Sequence, residues 1–263
     1  MPFATATDGT RLHVETHGTG APLLLLAGQA SDHREWDGVR ADLAAHHQVI
    51  VFDYRGTGHS DKPGAPAYST RGFAQDAIAV LNQLGIARAH AYGVSMGGRV
   101  AQWLGIDHPQ RLGALVLGAT TPGNAHGVAR DPAITQAMQR GDWASLRHTL
   151  VSPEWSRAHP DFEVRMAAMD ASPAPAFARR LHYQASEGHD SWQALPHITA
   201  PTLVIHGSQD EINPSANGAL LAGRIPGAEL QLIDGARHSY FEEYRAVASQ
   251  LVLKFLQRHP LPA

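Results

Sequence analysis

Short apolar runs alternate along this chain with longer stretches in which apolar residues recur every three or four positions. Pro22 to Ala27 and Gln48 to Asp53 are continuous runs of the kind expected for strands buried on both faces. Ala89 to Tyr92, Leu112 to Leu117, Thr202 to His206 and Glu229 to Ile233 predict further strands. Between them, Arg34 to Ala45 places Trp36, Val39 and Leu43 on one helical face. Ser69 is suited to cap a helix running to Leu84, with Gly85 as its stop. The run beginning at Arg99 predicts a helix that ends near His108-Pro109. Pro214 to Ala222 and Tyr240 to Gln257 predict two more. At the start of the chain, Phe3 to Thr7 and Arg11 to Thr16 flank Asp8-Gly9, a hairpin signal. Strands and helices in this alternation predict an α/β fold: a mostly parallel sheet with helices on both faces and the hairpin at its antiparallel edge.

The rhythm breaks in the middle. From about Gly123 to Pro196 no strand-like run appears, and Pro153, Pro160, Pro173 and Pro175 divide the stretch into short helices. We expect residues 1–122 and 197–263 to form the core and residues 123–196 to form an inserted helical cap. Most cap aromatics and methionines should be packing residues. Trp143 and Trp155 are the candidates to face a covered cleft and meet substrate.

Composition narrows the partners. The 263 residues carry a net charge of -3 and 43% hydrophobic content, with no basic patch, so a nucleic-acid partner is not expected. The longest leucine run, Leu23 to Leu26, is far too short to span a bilayer. Met1 to Thr5 shows no basic segment leading into an apolar one, so no signal peptide is expected. The absence of cysteine excludes disulfides, thiolate metal sites and a cysteine nucleophile, and fits a cytoplasmic location. The 17 histidines include no paired metal-ligand motif, so we expect neither metal nor cofactor.

Gly93-Val94-Ser95-Met96-Gly97 carries the chemistry. This G-x-S-x-G stands between a predicted strand and a predicted helix, the setting of a nucleophile elbow. A serine hydroxyl needs a base, and the base needs an acid to fix its tautomer. Asp210 follows one buried run and His238 follows the last, in the order Ser, Asp, His. Glu211 and Asp234 are competing acids. All three candidates fall at strand carboxyl ends, where open α/β sheets gather their sites. The oxyanion donors are expected to be the backbone N–H groups of Met96 and of Gln29, in the loop Ala27-Gly28-Gln29-Ala30, with Gly28 also against substrate. Asp53 to Ser60 lacks the third glycine of a dinucleotide fingerprint, and reads as a structural loop held by Asp53 and Arg55.

Together with Leu26 to Gln29, Asp53 to Ser60, His206 to Asp210 and Ala236 to His238, the elbow resembles the α/β-hydrolase superfamily. The resemblance implies an eight-stranded sheet, a lid, no cofactor, and Ser95, Asp210 and His238 as triad. Ser95 to Leu104 is similar to the elbow of small esterases and 3-oxoadipate enol-lactonases. The family's usual His-Gly at the oxyanion loop is Ala27-Gly28 here, which removes a loop-bracing imidazole. Serine rather than aspartate at the elbow argues against haloalkane dehalogenases and epoxide hydrolases. Asp32-His33-Arg34 resembles a segment of cofactor-free ring-cleaving dioxygenases, and Arg99 resembles the elbow arginine of a menaquinone-pathway lyase, which makes Arg99 a substrate-binding candidate.

The expected activity is hydrolysis of a small or medium ester or lactone through an acyl-enzyme. A lyase or cofactor-free oxygenase using the same His–Asp base, and a non-catalytic ligand receptor, are the alternatives, since fold alone does not separate them.

Overall fold

The structure, a computed structural model, describes residues 3–64 and 68–261; of the segment Met1 to Thr5, the first two residues lie outside it. Its strands are β1 (Phe3–Thr5), β2 (Arg11–His17), β3 (Pro22–Leu26), β4 (Gln48–Phe52), β5 (Ala89–Val94), β6 (Leu112–Gly118), β7 (Thr202–Gly207) and β8 (Glu229–Ile233). They form one eight-stranded sheet in the order β1-β2-β4-β3-β5-β6-β7-β8. The pairs β1–β2 and β2–β4 are antiparallel and every other pair is parallel. Gly9 takes φ +87° in the hairpin turn, where a side chain would be strained. Every residue of β5 and β7 is buried, His90 and His206 included, as in strands covered on both faces.

Helices cover the sheet. Thr70–Gln83 packs on Met96–Asp107, and Arg40–Ala44 meets Arg245–Arg258. The Ser69 hydroxyl caps the first of these by accepting the Gly72 N–H at 2.9 Å. Two expected helices are broken. The stretch 34–45 is a 3-10 turn, His33–Trp36, followed by Arg40–Ala44. Gly38 lies in the gap, where a Cβ would sit 2.3 Å from Glu242 Oε1. Only a glycine leaves room for that carboxylate at this point of the chain. The last helix divides at Tyr244 into Tyr240–Glu243 and Arg245–Arg258.

Between β6 and β7 the helices are Pro132–Arg140, Arg147–Leu150, Pro153–Ala158, Pro160–Ala171 and Ala176–Glu187. Three begin on the proline itself, at a position whose N–H has no helical partner. Pro173 and Pro175 fall in the break before Ala176. Ile134, Ala137, Met138 and Leu146 build a small apolar cluster with Ile212 from the core. Polar bolts join the same layers. Arg99, on the helix after Ser95, donates from Nη1 to the Ser186 carbonyl and, at 3.0 Å, to its hydroxyl. Gln102 accepts the Ser191 hydroxyl at 2.5 Å.

Candidate active site

Ser95 follows β5 with φ 54° and ψ -120°, a strained conformation for a residue with a side chain. Its neighbours make the turn possible. A Cβ on Gly93 would lie 2.2 Å from the Gly97 carbonyl oxygen, and one on Gly97 would lie 2.0 Å from that of Leu26. The two glycines therefore let the helix Met96–Asp107 press against the end of β3. The Ser95 N–H bonds to Gly118 at 2.9 Å and its carbonyl accepts the Thr120 hydroxyl at 2.7 Å, so the turn is held from the neighbouring strand.

Asp210 stands three residues beyond β7. Its Oδ1 accepts the N–H groups of Ile212 and Asn213, each at 2.9 Å, and its Oδ2 lies 2.8 Å from His238 Nδ1. A carboxylate fixed in this way selects the Nδ1–H tautomer of His238 and leaves Nε2 as the ring's acceptor. The competing acids point elsewhere: Asp234 accepts the Ser208 hydroxyl at 3.1 Å, and Glu211 is exposed. The loop bearing His238 is anchored on the Arg147–Leu150 helix, through His238 N–H to Thr149 at 3.3 Å and Ser239 N–H to Leu150 at 2.8 Å.

Ser95 and His238 line one cavity of about 170 Å³, without a hydrogen bond between them in this structure. Gly28, Gln29 and Trp143 share its wall, with Leu150, Phe162, Met166 and Met169 as apolar lining. Two further sequence candidates lie elsewhere. Trp155 is absent from the lining: its indole stacks on His159 at 4.1 Å and meets the edge of Phe162. Arg99 is neither a surface residue nor a cavity residue. It is 2% exposed, committed to Ser186, and burial pulls its guanidinium down to about 10. Met96 is fully buried by its side chain, while its N–H opens a helix and has no intrahelical acceptor. Ala30 takes φ +58°, the sharp bend of the loop that presents Gln29.

Two residues that sequence reasoning passed over hold this loop. Glu35 Oε2 accepts the Gly28 N–H at 2.5 Å, and a Cβ on Gly28 would come within 3.0 Å of Oε1. Glu35 shows some surface to the cavity, but its carboxyl is crowded by protein, and that desolvation pushes it up to about 7 despite the Gly28 N–H and the nearby His238. Asp32 and Glu35 have the spacing of a capping box. Asp32 does accept the Arg34 N–H at 2.9 Å, but the Glu35 carboxylate turns to Gly28 instead. On the other side, His182 Nε2 lies 2.9 Å from the Arg55 carbonyl. Its Nδ1 therefore accepts, and takes the Ala30 N–H at 3.3 Å. This imidazole comes from the Ala176–Glu187 helix, 155 positions from Ala27 in sequence, so no local pattern signals it.

Asp53 and Arg55 tie down the loop after β4. Asp53 accepts the N–H groups of His33 and His59, each at 2.8 Å. Arg55 bridges Asp76 on the Thr70–Gln83 helix and Asp8 in the hairpin.

A family model described as alpha/beta hydrolase fold matches residues 21–244. The chain belongs to the alpha/beta hydrolase fold family. Its relatives in that family are hydrolases with differing substrates. It is 28% identical to a putative carbamate hydrolase of Azorhizobium caulinodans, over 97% of this chain and 98% of that one. It is 29% identical to a 2-hydroxymuconate semialdehyde hydrolase of Pseudomonas sp., over 94% and 91%. Among solved alpha/beta hydrolase structures, an enzyme degrading N-acyl homoserine lactones superimposes with a TM-score of 0.84 at 31% identity, covering 97% of this chain and 100% of the other. The enol-lactonase of Burkholderia xenovorans LB400 gives 0.83 at 25%, covering 97% and 100%. Among the described residues no helix is long and apolar enough to cross a membrane.

Proposed function

We propose that this alpha/beta hydrolase cleaves a small or medium carboxylic ester or lactone through an acyl-enzyme. The observation that carries the reading is the 2.8 Å contact between Asp210 and Nδ1 of His238, whose ring shares one cavity with Ser95. The Ser95 hydroxyl attacks the substrate carbonyl carbon as His238 Nε2 takes its proton. Asp210 orients the ring and stabilises the imidazolium. The N–H groups of Gln29 and Met96 bind the oxyanion, each contributing on the order of 3 kcal/mol to lowering the barrier. Collapse breaks the bond to the leaving alkoxide, which takes the proton from His238. Water then attacks the acyl-enzyme by the same route, its proton passing to His238 and on to the Ser95 oxygen.

The cavity lining supports a substrate with an apolar portion. It also bears four arginines, Arg34, Arg147, Arg165 and Arg179. The first three pair with Asp32, Asp170 and Glu242, whereas Arg179 has no carboxylate partner among the described residues. Stopped-flow mixing with a p-nitrophenyl acyl ester tests the reading. A burst of p-nitrophenolate equal to the enzyme concentration is expected when deacylation limits turnover, with a mass increase on the peptide containing Ser95. Ser95→Ala should abolish both and lower kcat by at least ~1,000-fold. Undiminished ester hydrolysis in Ser95→Ala would exclude the acyl-enzyme and leave His238 as a general base for direct attack by water, whereas activity retained with oxygen uptake would favour the oxygenase.

A further inference from the structure

One face of β2 carries chemistry that the hydrolytic site does not use. Leu12 and Val14 are buried, so His13, Glu15 and His17 project together from the opposite face of the strand. His33, at the start of the His33–Trp36 turn, meets them: its Nε2 lies 3.5 Å from Glu15 Oε1, and His13 Nε2 lies 3.8 Å from the same oxygen. Both contacts are too long for hydrogen bonds.

The other edge of each ring explains the convergence. His33 Nδ1 lies 2.7 Å from Asp53 Oδ1, and His13 Nδ1 lies 3.4 Å from Asp53 Oδ2. Asp53 is fully buried and already fixed by two backbone N–H groups. A carboxylate in this position holds the His33 ring with its proton on Nδ1 and its Nε2 directed outward, whereas His13 Nδ1 makes no hydrogen bond. The Nε2 atoms of both rings face one Glu15 carboxylate oxygen, a meeting that is favourable when a ring is protonated or when a cation lies between them. Two imidazoles and one carboxylate are donors suited to borderline divalent metals. Ligands of a tetrahedral ion bonded at about 2.0–2.1 Å stand roughly 3.3 Å apart, so small shifts would close the two histidine–Glu15 spacings, and the donor atoms of all three residues lie within 4.8 Å of one another.

We propose that His13, Glu15 and His33 bind one divalent transition-metal ion of the zinc, cobalt or nickel class, with Asp53 orienting the His33 imidazole from behind. Water, or His17, whose Nε2 lies 3.0 Å from Glu15 Oε2, completes the coordination. None of the three ligands lines the hydrolytic cavity, although Asp32 and Arg34 on either side of His33 do. The ion is therefore structural. It fastens the edge hairpin to the segment that follows the oxyanion loop.

Tag-free, chelator-stripped protein titrated with cobalt(II) chloride tests the site. The expected result is one cobalt per chain, with visible absorption of a low-coordinate complex that zinc chloride displaces. Zinc at ~100-fold above its Kd should raise Tm by roughly 5 °C. Glu15→Gln and His13→Gln should each weaken binding by at least ~10-fold. In the wild-type protein, the proton resonances of the His13 and His33 rings should be the first that cobalt shifts, a readout that needs no variant to fold. No saturable binding up to ~1 mM cobalt overturns the proposal. So does binding undiminished in both variants, or a first shift at other histidines, since either marks scattered surface imidazoles.

Discussion

The side chain that separates positioning from chemistry is Glu35. Its carboxylate accepts the Gly28 N–H at 2.5 Å, one residue before the N–H of Gln29 that we assign to the oxyanion. Glu35→Gln keeps a carbonyl oxygen able to accept that N–H. Glu35→Ala leaves the N–H unsatisfied at a buried position and frees the loop to turn. We expect Glu35→Gln to retain kcat within a few-fold, and Glu35→Ala to lose ~10- to 100-fold in kcat with KM little changed, because oxyanion contacts strengthen mainly in the transition state. Steady-state kinetics on a p-nitrophenyl ester decide between this and a purely structural role, in which both variants would lose soluble protein rather than kcat. Arg179 gives a second prediction. Arg179→Leu should raise KM for an ester with an acidic acyl group by ~10-fold or more while leaving a neutral ester unaffected; equal effects on both would remove Arg179 as an anion contact. The residues of the site differ in how far sequence could reach them. Ser95, Asp210 and His238 sit in short motifs beside strand ends, so their candidacy is local information. The Glu35 contact and the His182 contact depend on how a turn and a distant helix meet Gly28 to Ala30, and no periodicity encodes that.

The elements divide along the same line. The central strands were legible as short, mainly apolar runs covered on both faces, as in β5 and β7, and the edge strand β2 as an alternation of buried and more open positions. The helices over 34–45 and 240–257 are each divided in the fold, at a segment where Glu242 lies against Gly38 and at Tyr244, and the local periodicity signals neither break. The same holds for the layer that joins the elbow helix to the segment before β7. Read alone, Arg99 on a helix after the nucleophile suggests either a solvated residue or a substrate contact. In the fold it is a buried bolt, donating to the Ser186 carbonyl and hydroxyl. Arg99→Met keeps much of the volume but leaves the buried Ser186 carbonyl without its donor. Its cost should be about 2–4 kcal/mol, read as a lower urea midpoint at unchanged m-value. A stability change under ~0.5 kcal/mol, accompanied by a raised KM, would return Arg99 to the substrate site.

At the scale of the whole molecule, buried histidines set the response to acid. His90, His182 and His206 are each no more than 1% exposed, and burial pulls each imidazole down to about 4. In the unfolded chain the same groups titrate near 6.5. Above that value both states hold them neutral and they contribute no pH dependence. As pH falls from 6.5 toward 4 the unfolded state takes up protons that the folded state refuses, so stability is withdrawn across that window. At pH 5 the difference is about 1.5 pH units for each residue, on the order of 2 kcal/mol apiece. Glu35 works the other way, since its carboxyl near 7 accepts a proton in the fold before it would in the unfolded chain. Its gain by pH 5 is at most about 3 kcal/mol. His33, drawn upward by its bond to Asp53 against its own desolvation, adds in the same direction. Asp76 and Glu242, raised by burial, act in the same sense as Glu35. His13, His47, His108 and His189, lowered by burial, join the three imidazoles. Tm should therefore fall by several degrees between pH 7.5 and pH 5, measured with chelator present to keep metal binding out of the comparison. His182→Phe offers the internal control: it removes one of these contributors and should flatten the slope even where it lowers Tm at pH 7.5. A Tm that holds steady or rises on acidification would mean that these rings are hydrated and able to accept protons inside the fold.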